Sequence, residues 1–182
     1  ELPPLIHKER DRMIDVHHTI LPLTARPRPD AAAMLADAVE LETGLYVFSP
    51  TDMIIHSATH LFADGELDGG LRNLWDIHCL LSEFSESDDS FWQSAQLSAQ
   101  KQGLWGAVHL AARLASNLYR TDVPISWQIR GNADSFFVQR LTARDNWGRG
   151  TRKLTRLAFY IRSHWLRMPP LMLAKHLWVK WR

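Results

Sequence analysis

From Ser49 to Tyr119 apolar residues return every three or four positions, between stops written in glycine and proline. A chain with this rhythm folds as consecutive amphipathic helices. Ser49 is the expected cap of the first, with Pro50 in its opening turn and Asp52 placed where a negative charge suits the helix dipole. Ile54, Ile55, Ala58, Leu61 and Phe62 form its inward face, and Gly65, Gly69 and Gly70 mark the following turn. Leu71 to Phe84 reads as a second helix with Leu74, Trp75, Ile77, His78 and Leu81 inward. Ser85 to Asp89 is an acidic turn before a third, Ser90 to Gln102; Gly103 separates it from a fourth, Leu104 to Tyr119. Residues 133–145 hold one more short helix.

Before Ser49 the rhythm changes. Met13, Ile14, Val16 and Ile20 alternate with Asp15, His17 and Thr19, the period of a strand over Arg10 to Leu21. Pro22, Pro27 and Pro29 make a linker, Asp30 caps a short helix to about Glu42, Gly44 closes it, and Leu45 to Phe48 is a brief extended piece. The expected fold is mainly α with a small β remnant of a mixed sheet at the N-terminus, an α+β chain. Residues 1–48 would end an α/β unit, and residues 49–182 would form a helical domain with basic amphipathic helices at 149–182.

The tail differs in charge. Residues 1–145 hold 12 Lys/Arg and 20 Asp/Glu, whereas the remaining 37 hold 9 Lys/Arg and no acid. Such an asymmetry marks an anionic partner or a tail that docks on its own acidic half. Leu154, Leu157, Ala158, Ile161 and Trp165 share one helical face; after Pro169 and Pro170, Leu171, Ala174, Trp178 and Trp181 form another stripe. Three roles suit these stripes: a core helix pair with a cationic rim, an amphipath on a membrane surface, or a docking face for phosphates. Leu and Trp at helical spacing most often make core, so the first is the expectation.

Candidate chemistry is sparse. His56 and His60 stand one helical turn apart, a chelating spacing that Asp76 and His78 would complete, but Ser57 occupies the place of a metalloprotease glutamate. The expectation is a polar seam in which these histidines hydrogen-bond Asp76, with metal binding as the alternative. Asp15 sits on a strand among apolar neighbours, where a carboxylate needs an arginine such as Arg10 or Arg12, or a cation. Cys79, the sole cysteine, is expected as a small core residue. It excludes an intrachain disulfide and a cysteine zinc site, and suits a reducing, cytoplasmic compartment. No apolar run reaches the ~18 to 20 residues of a membrane span. There is no glycine-rich phosphate loop, no GxSxG, no CxxC and no specific nucleic-acid motif. The chain opens on Glu1 with no signal-peptide pattern, and is read as trimmed or cut from something longer.

Set in order, these pieces resemble a known family. Met13-Ile14-Asp15-Val16-His17-His18 resembles the hydrophobic-Asp-Leu-His strand of an uncharacterised bacterial nucleotidyltransferase family whose genes often lie in exopolysaccharide clusters. Ser49-Pro50-Thr51-Asp52 with His56 and His60 is similar to that family's Pro-x-Asp, His-x-x-x-His helix, and Leu71-Arg72-Asn73-Leu74-Trp75-Asp76-Ile77 to its Leu-Arg-x-Leu-x-Asp-Ile helix. His164-Trp165-Leu166-Arg167-Met168-Pro169-Pro170 resembles its C-terminal end.

The resemblance implies a role for Asp15 as the third of three carboxylates holding Mg²⁺ ions that clamp a nucleoside triphosphate and activate the attacking hydroxyl. It places His17 or His18 near the phosphates, one only, because neighbours on a strand face opposite sides. The helices would flank an unknown, anionic acceptor, with the basic tail helping to hold it or touching a membrane. The other two carboxylates belong to an Asp-x-Asp that, with a Gly-Ser loop, precedes the Asp15 strand in the family. No Asp-x-Asp occurs in these 182 residues, so the chain alone is expected to be inactive. The competing expectation is a non-catalytic helical module that docks on a partner protein or an anionic membrane.

Overall fold

The computed structural model describes residues 5–14, 16, 19–63, 67–129 and 131–181. Two small antiparallel hairpins precede a stack of helices. In the first, β1 (Leu5–His7) pairs with β2 (Arg12–Ile14), Ile6 opposite Met13. The expected strand from Arg10 to Leu21 is therefore short, and the sheet is antiparallel rather than mixed. Every residue of both strands is exposed, so the alternation has no core to point into. Ile20 and Leu21 leave the strand direction and are buried in the helical core with Ala25.

Asp30 caps α1 (Ala31–Ala36) through the amide of Ala33, 3.0 Å away, and Met34 is its buried residue. The helix stops well before Glu42. Val39–Glu40 (β3) instead pairs with Tyr46–Val47 (β4) around Gly44, whose φ of +76° suits a residue without a Cβ.

From Pro50 onward the helices are α2 (Pro50–Ala63), α3 (Gly70–Ser87), α4 (Phe91–Lys101) and α5 (Trp105–Tyr119). A 3-10 turn at Ile125–Trp127 leads to α6 (Asp134–Leu141), α7 (Lys153–Arg167) and α8 (Pro170–Trp181). The chain is thus mainly helical with a small β part. The five inward residues expected on α2 are all buried. They meet Leu74, Ile77 and Leu81 of α3, Ala95 and Ala99 of α4, and the small face Ala111, Ala112 and Ala115 of α5 in one core cluster. Alanines at these crossings let the helix backbones approach closely.

Three side chains depart from expectation. Trp75, one step round the helix from Leu74, is half exposed and lays its ring against His78 and Tyr119, with centroids 4.9 and 5.1 Å away. His78 is only half-buried. Cys79 is exposed, because two residues beyond Ile77 lies nearly half a turn away from the buried side.

The tail departs further. α7 turns Phe159 and Ser163 inward, Phe159 stacking on Phe136 of α6 at 4.7 Å and meeting Phe137 edge-on at 5.1 Å. The Leu154, Leu157, Ile161 and Trp165 stripe, expected as core, faces out. On α8, Leu173 is buried while Leu171 and Trp178 are exposed; the side chain of Trp181 lies outside the described residues. The end of α7 is held by the proline linker. Arg26 Nε donates to Trp165 O at 2.8 Å, Arg26 N to Leu166 O at 2.9 Å, and Thr24 Oγ1 to Arg167 O at 2.7 Å. Three carbonyls that a helix end leaves open are thereby satisfied.

Candidate functional site

Asp15, His17 and His18 lie outside the described residues, as does Gly65. The motif helices are described, and their polar residues divide by what the fold asks of them.

Asp52, the acid of Pro-x-Asp, is 2% exposed and closes the start of α2. Ser49 Oγ donates to its Oδ2 at 2.8 Å, and the Asp52 amide donates to Ser49 Oγ at 3.3 Å. Burial pushes its carboxyl above the ordinary aspartate range, and the Ser49 hydroxyl pulls in the other direction. This carboxylate serves the helix end.

His56 and His60 stand together on the half-buried side of α2. Their rings are 4.5 Å apart, and Phe48 packs on His56 at 5.4 Å. His78 shares a 2.8 Å hydrogen bond between Nδ1 and Thr121 Oγ1, while Asp76 is exposed on α3. α3 turns Leu74 and Ile77 into the core, which carries Asp76 to the solvent side. Among the described residues no three His, Cys, Asp or Glu side chains gather as metal ligands, so the His56, His60 and Asp76 set is not formed.

A second polar site has no signature in the sequence. Arg113 on α5 forms a two-pronged ion pair with Asp134 at the start of α6: Nε to Oδ2 and Nη2 to Oδ1, both 2.8 Å. The Gly131 amide donates to Asp134 Oδ2 at 3.1 Å. A Cβ on Gly131 would fall 2.8 Å from Arg113 Nη2 and 3.0 Å from Asp134 Oδ1, so the pair occupies the space that glycine leaves. Arg113 holds the Asp134 carboxyl below its ordinary range. One turn before Arg113, His109 lies flat on Trp105, centroids 4.7 Å apart, and its Nε2 is 3.0 Å from Trp127 O. Burial, then the Arg113 charge, lowers its pKa. Beside the pair opens a groove of about 570 Å³ lined by Arg113, Ser116, Asn117, Arg120, Gln128 and Ser135. It offers hydrogen-bond donors and acceptors. Its residues come from separate segments, which is why the sequence gives no spacing to find them by.

No curated protein and no solved structure matches the chain. The sequence model of one family, described as an uncharacterised nucleotidyltransferase, matches residues 4–120. That span takes in the Asp15 segment, the Ser49–Asp52 helix start with its two histidines, and the Leu71–Ile77 helix. Because it covers well over half of the sequence, the chain belongs to the uncharacterised nucleotidyltransferase family.

Proposed function

We propose that the chain takes part in transferring a nucleotidyl group from a nucleoside triphosphate to a hydroxyl or phosphate acceptor. Asp15 would be one carboxylate ligand of Mg²⁺, and His17 would lie beside the phosphates. The observation that carries this reading is the family match across residues 4–120, which includes both side chains. The described residues assemble no Mg²⁺ site of their own. A hard divalent cation needs several oxygen ligands held in fixed geometry. Turnover therefore requires carboxylates beyond Asp15, and the sequence holds no Asp-x-Asp to supply them. The division into residues 1–48, bordering the nucleotide site, and a helical unit from 49 to 182, bordering the acceptor, belongs to the same proposal.

Calorimetric titration with a nucleoside triphosphate and Mg²⁺ tests it, on the chain and on its Asp15→Asn variant. Heat of binding that needs Mg²⁺ and falls in the variant supports the assignment. Equal binding by the two proteins removes Asp15 from the site.

A further inference from the structure

We propose that the outward faces of α7 and α8 form a docking surface for the anionic phospholipid bilayer. This inference does not rest on the nucleotidyl-transfer reading. α7 is fixed to the body by its other side, through Phe159 among the α6 phenylalanines and through Arg162 Nη1, which donates to Phe62 O at 2.7 Å. Its apolar stripe is left facing water, Leu154 at 82% exposure and Leu157 at 53%. α8 repeats the arrangement, Leu173 buried while Leu171 and Trp178 are 87% and 61% exposed. A helix whose core contacts are already made does not need a second apolar face for folding.

Charge selects the occupant. From Asn146 to Arg182 there are 9 Lys/Arg and no acidic residue, so nothing on these helices repels a polyanionic surface. Lys153 is exposed beside the α7 stripe, and Lys175 is exposed on α8 between Leu171 and Val179 in helical projection. The α7 stripe itself carries no hydrogen-bonding side chain except the Trp165 indole, whereas protein interfaces hold about one hydrogen bond per 100–200 Å². Apolar residues, tryptophans that favour the headgroup level, and flanking cations are what an interfacial helix presents to lipid. No helix among the described residues is long and apolar enough to cross a membrane, so the contact lies in the plane of the interface.

The test is flotation with vesicles of phosphatidylcholine alone, and of phosphatidylcholine mixed with phosphatidylserine. The chain is expected to float with the mixed vesicles, and less so as salt is raised. Each basic side chain at an anionic surface is worth about fivefold in affinity, so Lys153→Glu with Lys175→Glu weakens binding at least tenfold. Leu154→Gln with Leu157→Gln is expected to weaken it comparably while leaving the thermal midpoint unchanged, since both residues are exposed. Brominated lipid quenches tryptophan emission in the wild type, and less in Trp165→Phe with Trp178→Phe. Equal affinity for the two vesicle types overturns the proposal. So does binding without quenching, wild-type binding by folded variants, or a dimer in sedimentation that ignores vesicles.

Discussion

Two buried aspartates show how local surroundings reverse the effect of one side chain on stability. Asp134 is held below its ordinary range, chiefly by the Arg113 hydrogen bonds. Its contribution is present above the unfolded carboxylate value and is lost as pH falls through the lower native one. Asp52 is held above its ordinary range by burial, so the native chain keeps this proton longer than the unfolded chain. Its effect is most favourable at low pH and is lost as pH rises through the raised native value. Thermal midpoints measured between acid and neutral pH separate the two. Asp52→Asn should gain on the wild type as pH rises, with the Ser49 hydroxyl still able to donate to the amide oxygen. Arg113→Leu strands the Asp134 carboxylate and should cost about 1–3 kcal/mol at neutral pH. A trend of the opposite sign in either variant contradicts the assigned cause.

Among the elements, the linker and α7 depend on each other. Pro22, Pro27 and Pro29 mark the linker as irregular, but nothing in it foretells that Thr24 and Arg26 close a helix more than a hundred residues away. Arg26→Ala removes the Nε donor to Trp165 O and the guanidinium that lies 4.1 Å over the Trp165 ring. A loss of about 1–2 kcal/mol is expected, because the Arg26 amide still caps Leu166. Arg26→Lys should recover part of it through the ring contact alone, and an unchanged midpoint for Arg26→Ala would show that the strap carries no load. Helices α2 to α5 were legible because their caps, glycines and apolar spacing all agree. The Arg10–Leu21 strand and the tail stripes depart from expectation for one reason: periodicity reports that a face is apolar, not what covers it. Local spacing also cannot display the Arg113–Asp134 pair, since its partners meet only once α5 and α6 have packed.

At the scale of the whole molecule, burial is concentrated in α2, α3 and α5, with Ile54, Ile55, Leu74, Ile77 and Leu114 all at or near complete burial. α8 has one buried hydrophobic residue among those described, Leu173, and a 2.6 Å hydrogen bond between its His176 Nε2 and Tyr160 Oη of α7. Opening α8 therefore exposes little apolar surface, whereas opening α5 exposes the core. Amide hydrogen exchange should rank the elements accordingly: the centres of α3 and α5 exchange only with global unfolding, and α8 exchanges by a local route of lower free energy. Substitution gives the same ranking independently. Ala111→Leu forces extra methylenes into a crossing with no room and should cost about 1–3 kcal/mol. Ala158→Leu, on the exposed α7 face, should shift stability by less than about 0.5 kcal/mol. If α8 amides were protected as strongly as those of α5, the tail would be part of the cooperative core, and its outward stripe would need an explanation in folding rather than in binding.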